Sequence, residues 1–232
     1  MSHPSKVSRT PILCYVTDRK GLASGDKDES QALVRRVAAA AAAGVDWIQI
    51  REKDLSAKEL SSFTRQAVAQ TKQINERNRQ ASRILVNERW DVAQSERAGG
   101  VHLGEHSLPV QDVCKWLAAR PDLAEGAKLL VGASCHSVQA AVTAAHGGAD
   151  YIFFGPVFAT PSKAPFGAPQ GLQRLAEVCS AVSIPVLAIG GVTLANTSDC
   201  FATGAAGIAA IRLFQDADNL AALVTELRAK CA

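Results

Sequence analysis

The sequence predicts a single (β/α)8 barrel of the TIM type, an α/β fold, and three observations carry that expectation. Eight short apolar runs recur along the chain: Ile12 to Thr17, Val45 to Ile50, Ile84 to Val86, Gly100 to Leu103, Leu129 to Ala133, Tyr151 to Phe154, Pro185 to Ile189 and Gly207 to Leu213. They are continuous rather than alternating, as parallel strands covered on both faces require. Stretches of helical length separate them, so the chain reads as repeated right-handed strand-helix-strand units. Finally, a joint of small residues and glycine precedes a strand at Ala42 to Asp46, Ala98 to Val101, His146 to Asp150 and Gly204 to Gly207. One packing solution used repeatedly favours a closed barrel over its main rival, a doubly wound open sheet. At 232 residues the chain is a compact example of a fold that typically takes about 250.

Element by element, residues 1–10 are polar and read as a flexible tail, with the barrel domain spanning 11–232. The run from Gln31 through the alanines to Ala43 is a tightly packed helix that stops at Gly44, a residue suited to a helix C-terminus. Ala57 to Glu76, Pro109 to Ala119, Ser137 to His146 and Leu172 to Ala181 have helical composition. Tyr-Ile-Phe-Phe at 151–154 is a buried strand of aromatic and β-branched residues. No segment approaches the roughly 20 apolar residues of a membrane span, and the start lacks an apolar signal core. A soluble cytoplasmic protein is expected.

Charge and cysteine content narrow the function classes. With 25 basic and 22 acidic residues and a net charge of +3, no strong field favours nucleic acid or a membrane surface. Any anion specificity is therefore local. The six cysteines contain no C-x-x-C pair, which argues against a zinc or redox motif and for small buried hydrophobes.

Barrels bind ligands at the C-terminal ends of their strands, so the polar residues there carry the most weight. After the second strand, alternation sends Gln49, Arg51 and Lys53 to one side and Ile50 and Glu52 to the other. On the inner face such a set forms an anion clamp; on the outer surface it is an ordinary solvated face. Asn87, Glu88 and Arg89 close the third strand. Glu88 suits magnesium, which takes one or two carboxylates alongside phosphate, or it pairs with Arg89 or Arg51. His102 lies within the fourth strand and reads as a hydrogen-bonded structural residue. His136, after Ser134 and Cys135, is either an acid/base or part of a helix start with Ser137. The segment from Gly155 to Lys163 offers backbone access, the hydroxyls of Thr160 and Ser162, and a cation, which suits an anion-binding loop or a surface turn. Gly190-Gly191 and the end of the eighth strand, Ile211-Arg212, stand where this fold commonly cradles a phosphate.

Taken jointly, Tyr15 to Asp18, Gln49 to Lys53, Asn87 to Arg89, Gly100 to Gly104, Ser134 with His136, Gly155 to Phe158 with Thr160 to Lys163, and Ile189 to Val192 resemble the thiamine phosphate synthase family, which includes the related thiazole tautomerases. The resemblance runs from about Leu13 to Phe214. It implies a transferase that joins a hydroxymethylpyrimidine diphosphate to a thiazole phosphate, releasing pyrophosphate and using one magnesium ion per subunit. By matching motif, Gln49, Arg51, Lys53, Asn87, Ser134 and Lys163 would hold the pyrimidine diphosphate, with Arg51, Lys53 and Lys163 as the catalytic cations. Thr160, Pro161, Ser162, Gly191, Ile211 and Arg212 would surround the thiazole phosphate, and Glu88 with Ser107 would stand at the metal. Three positions depart from the usual family pattern. Glu88 and Ser107 stand where aspartates are usual, and Arg212 replaces a small serine. The resemblance therefore also admits a metal-independent thiazole tautomerase with His136 as acid/base. A barrel that binds thiamine phosphate without turnover is the alternative from another class. Partners are expected to be small phosphorylated molecules, not nucleic acid or membrane, with homo-oligomerisation open.

Overall fold

The structure is a computed structural model that describes residues 10–22, 29–119, 128–160 and 168–230. Eight strands run β1 (Ile12–Val16), β2 (Trp47–Ile50), β3 (Arg83–Asn87), β4 (Gly100–Leu103), β5 (Leu130–Cys135), β6 (Tyr151–Phe154), β7 (Val186–Ile189) and β8 (Gly207–Ala210). They form a closed barrel in sequence order, every pair parallel. The seam is β8 against β1, with Ile12 opposite Gly207 and Tyr15 opposite Ala210. Between strands lie α1 (Glu29–Ala42), α2 (Ala57–Asn78), α3 (Trp90–Ser95), α4 (Val110–Ala118), α5 (Val138–His146), α6 (Gly171–Ala181) and α7 (Thr197–Ala202), followed after β8 by α8 (Arg212–Gln215) and α9 (Leu220–Ala229).

Strand alternation divides the apolar residues into two cores. Cys14, Val16, Leu85, Tyr151, Phe153, Leu187 and Ala209 fill the barrel interior. Their neighbours, including Leu13, Ile48, Ile84, Val101, Val131, Ile152 and Ala188, pack outward against the helices. Both sets are almost solvent-free, and each large aliphatic or aromatic side chain so placed contributes about 1.5–3 kcal/mol. The glycine joints end helices as expected: Gly44, Gly148 and Gly204 have φ of 87°, 96° and 93°. The fourth joint differs, because its left-handed residue is Arg97, at φ 54°. Gly99 is small there for another reason, since a Cβ would lie 2.9 Å from that of Arg83.

One element is shorter than expected. The run Gly207 to Leu213 is not a single strand; β8 stops at Ala210 and α8 begins at Arg212. An apolar run cannot distinguish strand from helix by periodicity alone. Here Phe214 is drawn fully into the outer core, its ring centroid 6.1 Å from that of Tyr15.

At the opposite end from the strand C-termini, the last helix is locked to the first strands. The Arg228 guanidinium donates to the Pro11 carbonyl at 3.1 Å, the Gly44 carbonyl at 2.8 Å and Asp46 Oδ1 at 3.1 Å. Asp46 also accepts the Leu13 amide at 2.8 Å.

Candidate active site

The mouth is built from residues just inside and just beyond the strand ends. Gln49, only 2% exposed, donates from Nε2 to Asn87 Oδ1 at 2.9 Å, so β2 and β3 present one coupled amide pair. Gln49 Oε1 is buried without a partner among the described residues. A buried acceptor left unmet costs about 1–3 kcal/mol, so this oxygen suits a donor supplied by a ligand or water.

The turn after β2 is fixed from below by a carboxylate. Glu52 is 6% exposed and accepts the Thr17 hydroxyl at 2.6 Å and the Arg19 guanidinium at 3.2 Å. Thr17 in turn accepts the Arg51 amide at 3.0 Å. Arg19 is held by Asp54 at 2.5 and 2.8 Å as well. Glu52 thus anchors the turn, and Arg51 and Lys53 are left for the mouth. Arg51 is half-buried and lies near enough to His102 for its charge to disfavour protonation there.

Lys53 Nζ sits 3.8 Å from Glu88 Oε1. Glu88 therefore pairs with Lys53, not with Arg51 or Arg89; Arg89 binds Asp91. Glu88 occupies a left-handed backbone conformation, φ 61°, and its amide donates to the His102 carbonyl at 2.8 Å. Its carboxylate rests over Gly104: a Cβ on that glycine would stand 2.5 Å from Glu88 Oε1 and 3.5 Å from Ser107 Oγ. Ser107 Oγ accepts the Gly104 amide at 2.9 Å. Glu88 and Ser107 consequently border one small space. Among the described residues no group of three or more His, Cys, Asp or Glu could cage a metal ion. Magnesium commonly uses one or two carboxylates with water and substrate phosphate, and a single carboxylate beside a hydroxyl fits that pattern.

Inside the barrel, His102 is held at both ring nitrogens. Nε2 lies 2.9 Å from Ser134 Oγ and Nδ1 lies 3.2 Å from the Tyr151 hydroxyl. The ring packs on Phe153, centroids 4.1 Å apart. Burial first, and then the Arg51 charge, push the imidazole down to about 3, so it is neutral near pH 7. Burial raises the Tyr151 phenol well above its usual value. His136 differs. Its Nδ1 meets the Gly155 carbonyl, and its Nε2 lies 3.6 Å from Glu105 Oε2 on an open side of the mouth. Ser137 independently caps α5 by accepting the Ala140 amide at 3.1 Å.

The loops after β6 and β7 are joined through their backbones. Val157 and Phe158 donate to the carbonyls of Ile189 and Gly190 at 2.9 and 3.0 Å. This closeness demands glycine: Gly191 has φ 67°, and a Cβ there would come 2.7 Å from the Ala159 carbonyl. Asn196 braces the turn by donating to the Gly191 carbonyl at 3.0 Å and accepting the Thr193 amide at 2.8 Å. Thr160 continues this loop, half-buried. Pro161, Ser162 and Lys163 lie outside the described residues. Ile211 packs against the inner core at the end of β8, and Arg212 beside it is exposed.

Gln49, Asn87, Lys53, Glu88 and Ser107 are therefore brought together along β2, β3 and β4, with Ser134 linked to them through His102. Gly191 and Thr160 belong to the separate β6–β7 loop pair. Sequence reasoning missed Thr17, Glu52, Tyr151, Gly104 and Asn196. Of these, Glu52 carried a readable signal, a carboxylate on the opposite side of the turn from two cations.

Fold and mouth define an α/β barrel that gathers polar and charged side chains at the C-terminal ends of its strands. The family model described as thiamine monophosphate synthase matches residues 16–214. Thiamine-phosphate synthase of Methanoculleus marisnigri is 43% identical over 194 residues, covering 83% of this chain and 85% of that protein. That of Chloroflexus aurantiacus is 37% identical over 216 residues, covering 93% and 90%. Among solved structures, thiamine phosphate pyrophosphorylase from Pyrococcus furiosus superposes with a TM-score of 0.76 at 30% identity, covering 96% of each chain. The chain belongs to the thiamine monophosphate synthase family.

Proposed function

We propose that this protein is a thiamine-phosphate synthase that transfers a pyrimidinylmethyl group from its diphosphate ester to the nitrogen of a thiazole phosphate. The observation that carries the reading is the grouping of Gln49, Asn87, Lys53 and Glu88 at the ends of β2 and β3. A tautomerase has no diphosphate for such a set to hold.

In this reading the carbon–oxygen bond to the diphosphate breaks, and its electron pair leaves with pyrophosphate. The resulting pyrimidine-stabilised cation is captured by the thiazole nitrogen, whose lone pair forms the new carbon–nitrogen bond. Little proton transfer is needed. The protein must concentrate positive charge on the leaving group and hold the nucleophile in line. Arg51, Lys53 and Lys163 serve the first task, Gln49 and Asn87 orient the pyrimidine end, and Ser134 binds the diphosphate ester. The unmet Gln49 Oε1 suits an amino group there. Thr160, Pro161, Ser162, Gly191, Ile211 and Arg212 take the thiazole phosphate. Glu88, with Ser107 beside it, would hold the magnesium that neutralises charge on the diphosphate. A cytoplasmic setting and small-molecule partners belong to the same reading, supported by the near-balanced charge and by the absence of a membrane-length apolar helix among the described residues.

Purified protein given both phosphorylated substrates and magnesium is expected to release pyrophosphate and form thiamine phosphate. Arg51→Ala and Lys163→Ala should each abolish turnover with circular dichroism unchanged, and normal turnover in either would refute the assigned clamp. The tethered ring of His136, with Nε2 toward the mouth, favours thiazole tautomerisation as the second reading. Full activity in excess chelator, on the thiazole carboxylate phosphate alone, would select it.

A further inference from the structure

The geometry points to His102 and Tyr151 as positioning residues: the buried phenol fixes the imidazole tautomer, and the imidazole fixes Ser134 as a hydrogen-bond donor toward the pyrimidine diphosphate. This rests on the reading of Ser134 as a ligand of that substrate. The chain of contacts climbs the barrel interior from β6 through β4 to β5, from Tyr151 through His102 to Ser134.

Each link has a direction. The Tyr151 hydroxyl is buried, and among the described residues its hydrogen-bond partner is His102 Nδ1. A buried phenol that keeps its proton must donate it, so Nδ1 accepts. A neutral imidazole has one N–H, which then lies on Nε2 and donates to Ser134 Oγ. With that oxygen accepting from the ring, the serine proton is free to turn to an acceptor on the substrate. The opposite tautomer would make Ser134 donate into the ring and present lone pairs to an anionic ester, a repulsive arrangement. Burial keeps His102 from gaining a second proton that would remove the preference. Phe153 and Gly132 hold the geometry: Phe153 packs at a tilt against the imidazole, and Gly132 leaves room for the Tyr151 ring, which any Cβ would overlap.

Two measurements test this. In protein carrying 15N-labelled histidine, His102 should show a pyrrole-type Nε2 and a pyridine-type Nδ1, and Tyr151→Phe should mix the two tautomers. A wild-type Nδ1–H form would overturn the proposal whatever the catalytic result. In steady-state assays, Ser134→Ala and His102→Leu should each lower kcat/KM for the pyrimidine diphosphate by about ten- to a hundredfold, the range for a hydrogen bond to a charged group. The KM for the thiazole phosphate should stay unchanged. His102→Gln, whose amide can still donate toward Ser134, should recover most of the loss. The double variant Ser134→Ala/His102→Leu should be no slower than Ser134→Ala alone. If Ser134→Ala is impaired but the two losses multiply, the relay fails while Ser134 stands as a ligand. If Ser134→Ala turns over normally, the ligand reading fails and the relay with it.

Discussion

Gly132 lacks a side chain because Tyr151 occupies the space. Replacing it with alanine inserts a methyl into the Tyr151 ring, and overpacking of this kind costs roughly 1–3 kcal/mol. Gly132→Ala should therefore lower the unfolding free energy measured in urea by that amount, and it should also weaken the Tyr151–His102 bond. Residues of this kind were invisible in the sequence, where Tyr-Ile-Phe-Phe reads as uniformly buried and nothing marks which cross-strand neighbour must yield. The mouth was more legible. Gln49, Arg51, Lys53, Asn87 and Glu88 stand next to apolar runs; strand alternation reaches Gln49 and Asn87, whereas Arg51, Lys53 and Glu88 lie just past the strand ends. Their partners were less so: Arg51 or Arg89 stood as the alternative to magnesium for Glu88, but its left-handed backbone turns the carboxylate toward Gly104 and Lys53.

Helix α2 begins with a reciprocal cap. Ser56 accepts the Glu59 amide at 3.3 Å, while Glu59 Oε2 accepts the Ser56 amide at 2.9 Å. Removing it by Ser56→Ala should cost about 1 kcal/mol in thermal or chemical unfolding. Turnover should hardly change, because the preceding turn is anchored separately through Glu52 and Thr17. A large fall in kcat would mean that the cap also positions Arg51 and Lys53. At this scale the sequence was most readable where glycine ended a helix, as at Gly44, Gly148 and Gly204. It was least readable where tertiary packing decided. Helices α3 and α7 span six residues each, too short to show a 3.6-residue period, and the end of β8 depends on where Phe214 finds its pocket. Arg97 performs a glycine's task with no local signature.

For the whole molecule, the buried neutral His102 links stability to acidity. Its folded pKa of about 3 lies below the roughly 6.5 of an unfolded histidine, so the unfolded chain binds the extra proton between those values. Stability is fully present above about pH 6.5 and falls as pH drops toward 3, by about 1.4 kcal/mol per pH unit within the window. Ordinary carboxylates remain ionised in both states between pH 6.5 and 5, so denaturant midpoints measured there should decline in the wild type and much less in His102→Gln. An equal slope in both would remove His102 as the cause.

The seam between β1 and β8 has a consequence for how the chain is made. Strand β1 emerges from the ribosome first, yet the neighbour that covers its outer edge, Gly207–Ala210, comes almost last. Translation at about 5–20 residues per second leaves that apolar edge, Ile12 to Tyr15, without its neighbour for roughly ten to forty seconds. The Arg228 contacts to Pro11, Gly44 and Asp46 can form only after β8 has been made, and they secure the closure from the same end.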